Sequence, residues 1–511
     1  MQDNIFECPE QYIQEIVDKI RIPEEKRKKF PGKTMAFLFL TKFCDVECAH
    51  CFFKSRKNVN NEHSKEYEFT EEGLDKVIEF INKSNNGYLS VLGGGEPFNR
   101  FDYILKLIRE VKTDRMILVT SGNWAVSFEE AKEKILQIKE ALNSRVNKLN
   151  LVLRISIDKW HALKIGSKSI INCIEIMKQE STDNFTLEAH TLVGDNTLDE
   201  ALKGKFKYKK ETYAKYVSDN NDIMKLGYAR YILKFDDGYR INVGIARKFN
   251  SNLKVDLNHV HNLDKILGFF DNDIKINCFG NPSIVHDSLE NEGLDFLISY
   301  NGNIATWGND QPYDLNNLYI HNYDDVISRT MDNIISYSFI EKGFKYRENI
   351  FNEVNPKAVI KSKAINIRDY SGNLLFEETA SVLYYGIRVI KDYLKENIID
   401  KKQLDNLSPE LKETILLETG NLRNLYNLSE YSIIDQYKKD ETKTLEEWQD
   451  LMELVRLGHY DISSNKVKEG IEFINSKFNQ TYNSIEEFKF SGEDQYNRLL
   501  NRISDISKEA L

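Results

Sequence analysis

Three cysteines lie close together near the start of the chain, Cys44, Cys48 and Cys51 in the stretch CDVECAHC. They follow directly on the apolar run MAFLFLT, which has the composition of a buried β-strand. Three thiolates can hold three irons of a [4Fe-4S] cluster, which leaves the fourth iron without a protein ligand. The same cysteines could instead bind zinc if His50 supplied a fourth ligand. The spacing therefore indicates a metal centre and leaves its type open.

The segments around these cysteines predict an alternation of strands and helices. Apolar, β-rich runs predict strands at 35–41, 88–92, 115–120, 150–157, 185–192 and, in two pieces, 230–243. The longer stretches between them carry apolar residues at helical intervals. This pattern predicts parallel βα units, in a partial (βα)6 barrel of the TIM type or an open doubly wound sheet. Function in both folds lies at the carboxyl ends of the strands, where the cysteine loop is expected.

The remaining sequence predicts further segments on either side of this barrel. We expect an N-terminal helical segment at 1–34, the partial barrel at 35–270, a small β-hairpin region at 271–385 and a C-terminal helical domain at 386–511. The hairpin prediction depends on the sequence YNGN at 300–303, because Asn-Gly tolerates the positive φ of a tight turn.

Composition and charge exclude several other classes of protein. No run approaches the 18 or so uncharged apolar residues of a membrane span, and the first residues are acidic where a secretory signal is basic. We therefore expect a cytoplasmic protein without a membrane partner. The formal net charge of -10 argues against nucleic acid as a partner. The basic, aromatic run at 203–216 has helical spacing and is interpreted as a solvated helix face.

Four short motifs, each at the end of a predicted strand, resemble motifs of the radical S-adenosylmethionine (radical SAM) superfamily. They are the Cys-x3-Cys-x2-Cys loop, GGGEP at 93–97, TSGN at 120–123 and SIDKWH at 156–161. The resemblance implies cluster ligands at Cys44, Cys48 and Cys51. It also implies SAM contacts at Phe52, Gly94, Gly95, Glu96, Ser121, Asn123, Ser156 and Asp158. In addition, Arg247 follows the last predicted barrel strand and is a candidate for a carboxylate contact.

The resemblance also implies a reaction. In this superfamily the open iron chelates SAM, and an electron from the reduced cluster splits it to a 5'-deoxyadenosyl radical that removes a hydrogen atom from the substrate. The protein is then expected to aim the radical at one C–H bond and to exclude water. A flavodoxin- or ferredoxin-type protein is the expected electron donor.

Residues 278–318 resemble the SPASM or twitch extension of peptide-modifying radical SAM enzymes. Cys278 matches the first cysteine of that extension, Trp307 takes the place of the second, and no cysteine follows position 278. Because auxiliary clusters need several thiolates, we expect the hairpin without its cluster. Cys278 is then either a catalytic hydrogen-atom donor, as in a peptide epimerase, or a buried thiol.

The expected substrate is a ribosomally made peptide or a protein, modified by crosslinking or epimerisation. Two alternatives stay open at this point. One is the radical modification or rearrangement of a small metabolite, and the other is a zinc-binding scaffold whose helical domain recruits partners.

Overall fold

The structure is a computed structural model of the 511-residue chain. It describes residues 4–30, 32–48, 51, 55, 57–58, 66–192, 195–212, 229–246, 292–305, 316–338, 341–342, 346, 350, 353, 379–426, 434, 437–438, 440–456 and 464–488. The chain divides into two compact units. The sheet unit comprises the described residues within 29–255 and 277–329, and the helical unit comprises those within 1–28 and 330–511.

One eleven-stranded sheet organises the sheet unit. Its strands are β1 (Lys33–Phe39), β2 (Asn86–Leu92), β3 (Arg115–Thr120), β4 (Asn150–Ser156), β5 (Phe185–Leu192), β6 (Tyr208–Thr212), β7 (Ala229–Phe235), β8 (Arg240–Ala246), β9 (Glu292–Ile298), β10 (Asn303–Ala305) and β11 (Asn316–Asn317). The spatial order is β11-β10-β9-β1-β2-β3-β4-β5-β8-β7-β6. The six strands β1 to β5 and β8 run parallel in that order, which confirms the predicted α/β partial barrel.

Helices follow the strands as the periodicity predicts. Those of the described residues are α1 (Pro9–Lys19), α2 (Glu71–Lys83), α3 (Phe101–Glu110), α4 (Phe128–Asn143), α5 (Lys159–Ile165), α6 (Lys168–Glu180), α7 (Thr197–Leu202), α8 (Tyr323–Asp332), α9 (Thr379–Lys395), α10 (Pro409–Leu416), α11 (Thr419–Leu425), α12 (Leu445–Arg456) and α13 (Ser464–Phe478). Helix α2 begins where the Thr70 hydroxyl accepts a hydrogen bond from the Gly73 amide. Its apolar face, with Leu74, Val77 and Ile81, is buried.

Strand β6 corrects the prediction for the basic run at 203–216. Its residues Tyr208–Thr212 pair antiparallel with β7 at the edge of the sheet, and they do not form a helix face. Lys209 and Lys210 of β6 suit such a position, because an edge strand exposes side chains to water and positive charge discourages pairing with other chains.

The predicted hairpin is confirmed, but its strands belong to the barrel sheet. Strand β9 runs parallel to β1, with Ala36 opposite Phe296, and β10 returns antiparallel to β9. The turn between them contains Gly302, whose φ of 84° is the left-handed conformation that favours glycine. The compact units therefore cut across the predicted segment 271–385, because β9 to β11 lie in the sheet unit and residues from 330 onward lie in the helical unit.

The helical unit contains residues from both the N-terminal and the C-terminal parts of the chain, which pack against each other. In helix α1, Ile16 packs close to Gly386 of α9, where an added Cβ would lie 3.4 Å from the Ile16 side chain. Glu15 accepts hydrogen bonds from the amide and hydroxyl of Ser408, just before α10. In the same unit, a cluster of buried hydrophobic residues surrounds the fully buried Trp448 on α12. No helix among the described residues is long and apolar enough to cross a membrane.

Candidate active site

A cavity of about 270 Å³ lies at the carboxyl ends of the parallel strands. Five consecutive strand ends of the sheet contribute to its wall, which places the cavity where βα folds carry function. Its lining includes Cys44, Cys48, Cys51, Gly93, Gly94, Gly95, Glu96, Thr120, Ser121, Ser156, Asp158, His161, His190 and Thr191. The four motifs that are separate in the sequence thus contribute to one site.

The loop that begins at Cys44, here the cysteine loop, is held by main-chain hydrogen bonds against the turn at residues 93–97, here the glycine turn. The Gly95 amide donates to the carbonyl of Thr41 at 2.6 Å, and the Glu96 amide donates to that of Phe43 at 2.8 Å. A Cβ added at Gly95 would lie 1.9 Å from the Phe43 carbonyl oxygen, inside any possible contact distance. The absence of a side chain at Gly95 therefore allows the two loops to meet just before Cys44.

Glu96 connects the glycine turn to the end of strand β3. Its side chain is 2% exposed and accepts four hydrogen bonds. The donors are the Thr120 hydroxyl at 2.7 Å, the Ser121 amide at 2.8 Å, the Ser121 hydroxyl at 2.6 Å and the Phe98 amide at 3.1 Å. Because both carboxylate oxygens already accept from the protein, Glu96 fixes the geometry of the turn. Its predicted contact with the SAM ammonium stays a prediction.

We expect Glu96→Gln to lower the free energy of unfolding by roughly 2 kcal/mol, because the new NH2 group cannot accept the hydrogen bonds that the carboxylate oxygen it replaces receives. SAM affinity is expected to fall as well, since the turn loses its connection to Ser121. Urea unfolding and equilibrium dialysis with SAM measure the two effects. Glu79→Gln is the matched control, because that side chain is 64% exposed in a surface ion pair with Lys83. A Glu96→Gln protein as stable as this control would contradict the assignment.

Asp158 and His161 form a second buried polar group beside the cysteines. One oxygen of Asp158 accepts from the amides of Trp160 and His161 and so caps helix α5. The other oxygen contacts His161 Nδ1 at 2.7 Å. His161 also hydrogen-bonds Cys48. Burial alone lowers the pKa of His161, but the hydrogen bonds to Asp158 and Cys48 outweigh burial and raise it to about 10.

The three thiols suit an iron-sulfur cluster. Burial, the largest cause, and the nearby Glu96 charge raise the pKa of Cys44 to about 12, so this thiol is protonated until a metal displaces the proton. Thiolates are the ligands that such clusters take, and each binds a different iron of the cubane. No three His, Cys, Asp or Glu side chains in the described part of the chain converge as a single metal ion requires. A [4Fe-4S] cluster does not require the three thiolates to converge on one atom, because each thiolate binds a different iron.

The structure places the predicted site residues as follows. Cys44, Cys48, Cys51, Gly94, Gly95, Glu96, Ser121, Ser156 and Asp158 all line the cavity. Asn123 is not among the lining residues, and its side-chain oxygen accepts from the Trp124 amide. Phe52, Arg247 and Cys278 lie outside the described residues, as does His50, so their predicted roles stay predictions.

Strand β5 contributes cavity residues that the sequence analysis did not identify. His190 and Thr191, near the end of β5, line the cavity, and His190 pairs in register with Ser156 of β4. Two residues earlier, Arg154 of β4 and Glu188 of β5 form an ion pair at 3.0 Å, with only 1% of the Glu188 side chain exposed. A signal was present, since charged residues inside apolar strands must find buried partners.

Comparison with known proteins identifies the part of the chain that carries the cysteines. Residues 31–146 match the family model described as 4Fe-4S single cluster domain. No curated protein sequence matches the chain significantly. Among solved structures, hexahistidine-tagged anSMEcpe with bound AdoMet is 14% identical with a TM-score of 0.35, over 74% of this chain and 97% of that chain. Native anSMEcpe with bound AdoMet and Kp18Cys peptide is 14% identical with a TM-score of 0.33, over 60% of this chain and 84% of that chain.

TM-scores this low do not establish a related structure. The identification of a cluster-binding segment therefore depends on the family match and on the site itself. The matched segment contains both the cysteine loop and the glycine turn. These motifs meet in one cavity at the strand ends, with thiols that suit a [4Fe-4S] cluster. Residues 31–146 are therefore similar to a 4Fe-4S single cluster domain, and the cysteines of this segment suit such a cluster.

Proposed function

We propose that this protein is a radical SAM enzyme, which removes a hydrogen atom from a ribosomally made peptide and so crosslinks or epimerises it. The observation that supports the radical chemistry best is the meeting of three thiols and a side-chain-free glycine turn in one cavity. The bound cluster and SAM would supply the 5'-deoxyadenosyl radical. The protein's own contribution is to bind SAM, orient it and keep water from the reacting carbon.

Named residues divide this work among the strand ends. Cys44, Cys48 and Cys51 would hold the cluster, and the backbone of Gly94 and Gly95 would lie against the amino acid part of SAM. Ser121 and Ser156 would offer hydroxyls to the polar groups of SAM. Glu96 supports the turn through its contacts with Thr120 and Ser121.

The peptide substrate is the finer part of the proposal. Its support is the resemblance of residues 278–318 to an extension found in peptide-modifying enzymes, together with the β9–β10 hairpin. That hairpin continues the sheet next to β1, the strand that precedes the cysteine loop. A substrate bound along this edge would lie close to the side of the cavity that carries the thiols.

The radical SAM activity is tested with the anaerobically reconstituted protein. We expect about four irons and four sulfides per chain, a brown absorbance, and 5'-deoxyadenosine that forms only when SAM and a strong reductant are both present. Mass spectrometry of the short peptide encoded nearest to this gene tests the substrate. Crosslinking removes two hydrogen atoms, and epimerisation in heavy water introduces one deuterium. Formation of 5'-deoxyadenosine without either change would contradict the proposed peptide modification and leave the radical chemistry standing.

A further inference from the structure

The turn between β9 and β10 brings an aromatic ring close to the candidate active site. Tyr300 lies in this turn, which the Gly302 amide closes by donating to the Ser299 carbonyl at 2.8 Å. Because β9 runs parallel to β1, with Leu38 opposite Ile298, the turn lies at the same edge of the sheet as the cysteine loop. Tyr300 is therefore a neighbour of the cavity, and the proposed reaction assigns no part to it.

The ring of Tyr300 lies against Gly94 of the glycine turn. A Cβ added at Gly94 would be 3.1 Å from both Cδ1 and Cε1 of Tyr300 and 2.9 Å from the Thr41 carbonyl oxygen. Gly94 is thus enclosed between this ring and the main chain that leads into the cysteine loop. Because Gly94 lines the cavity and Tyr300 is not among the lining residues, the ring supports the turn from behind.

Polar and aromatic contacts fix the β9–β10 turn in its position. The side-chain amide of Asn317 donates to the Asn301 carbonyl at 3.2 Å and to Asn303 Oδ1 at 2.8 Å. The Tyr319 ring lies against Gly302, where an added Cβ would be 2.7 Å from Tyr319 Cδ2. The aromatic ring that supports the glycine turn is therefore itself held by a well-connected element, as a positioning group must be.

We propose that Tyr300 is a positioning residue that holds the main chain of the glycine turn in the conformation that binds SAM. This inference rests on the proposed function, which places the backbone of Gly94 and Gly95 against the amino acid part of SAM. Consecutive glycines give a turn much backbone freedom, and ordering them upon binding would weaken the affinity for SAM. A ring packed against Gly94 restricts that freedom before SAM binds. The β9–β10 hairpin, which contains no cysteine, would thus contribute an aromatic side chain to the site instead of a metal ligand.

The order of the glycine turn can be measured at two backbone amides next to Gly94. The Gly95 amide donates to the Thr41 carbonyl, and the Glu96 amide donates to the Phe43 carbonyl. A hydrogen-bonded amide exchanges its proton with heavy water only when the bond opens. Loss of the ring would leave space behind Gly94, so both bonds should open more often.

The first test is amide hydrogen exchange of the full-length protein without SAM, followed by mass spectrometry of a fragment that contains residues 93–97. We expect Tyr300→Ala to accelerate exchange of the protected amides in this fragment about tenfold, because nothing then fills the space behind Gly94. Tyr300→Phe keeps the ring and should exchange like the parent protein. Tyr208→Ala is the matched control, since Tyr208 is half-buried like Tyr300 but lies on β6, at the opposite edge of the sheet.

The second test is the Kd for SAM, measured by equilibrium dialysis of the reconstituted protein. We expect Tyr300→Ala to raise this Kd about tenfold at unchanged iron content, because the free protein must then order the turn upon binding. Tyr300→Phe and Tyr208→Ala should keep the parent value. If Tyr300→Ala does not fold, Tyr300→Leu takes its place in both tests, since leucine removes the planar ring and keeps an apolar side chain.

The two measurements together decide the inference. Parent-like exchange in the variant without the ring would overturn it, and so would faster exchange with an unchanged Kd for SAM. A Tyr300→Phe protein that loses SAM affinity as strongly as Tyr300→Ala would also overturn it, because the hydroxyl group and not the ring would then be responsible. A parent protein that neither assembles a [4Fe-4S] cluster nor binds SAM would instead refute the proposed function, whereas the exchange rates would still show whether the ring orders the turn.

Discussion

Cys48→Ala is expected to abolish both the cluster and the formation of 5'-deoxyadenosine. Cys44, Cys48 and Cys51 line one cavity, and an open-iron cluster leaves no spare protein ligand among them. Removal of one thiolate exposes a second iron to solvent, and the cluster then degrades. We expect iron near the background level, loss of the brown absorbance, and no 5'-deoxyadenosine above the amount formed without reductant.

The matched control for this prediction is Cys8→Ala, because Cys8 is an exposed cysteine. This variant should keep the iron, the absorbance and the activity of the parent protein. Cys173→Ala is a second control, since Cys173 is fully buried on α6. It should lose about 1 kcal/mol of stability but no iron. Cys48→Ala protein that retains a complete cluster, or that binds a single zinc ion, would contradict the radical SAM function proposed for this loop.

The strands of the barrel could be predicted from sequence because each is marked by a short local pattern of apolar residues. Strands β1 to β5 are short apolar runs, and each observed strand begins within two residues of its predicted start. The edge strands were harder to predict. Strand β6, with the sequence YKKET, lacks the apolar residues that mark a buried strand, and no local pattern encodes its antiparallel pairing with β7. The same holds for β9, which pairs with β1 across about 250 residues of sequence.

The candidate site shows the same division between local and long-range information. The sequence identified the cysteine loop and the glycine turn, because both resemble short local motifs of the radical SAM superfamily. It could not supply the partners of Glu96, since Thr120 and Ser121 follow a different strand and meet the turn only through the strand order. The presence of His161 and Cys48 in one cavity depends likewise on the strand order, since these residues follow β4 and β1.

Gly95→Ala is expected to disrupt the site almost as strongly as the loss of a cysteine. The added Cβ would lie 1.9 Å from the Phe43 carbonyl oxygen and 2.7 Å from the Phe43 amide nitrogen. Both atoms belong to the backbone, so no side-chain rotation relieves the clash. The hydrogen bonds from Gly95 to Thr41 and from Glu96 to Phe43 must then break. We expect a loss of about 3 kcal/mol in the free energy of unfolding, measured by urea denaturation.

The loss of cluster should exceed what this destabilisation alone would cause. Phe43 directly precedes Cys44, so a displaced Phe43 carries the first thiol away from the other two. Iron content is therefore expected to fall even at temperatures where circular dichroism shows the chain to be folded. Gly420→Ala is the matched control, because an added Cβ at Gly420 meets no atom within 4 Å. That variant should keep its iron and gain slightly in stability, since alanine has fewer unfolded conformations than glycine. A Gly95→Ala protein with full iron and control-like stability would show that the cysteine loop and the glycine turn do not pack as described. The geometry on which the proposed SAM site depends would then be wrong.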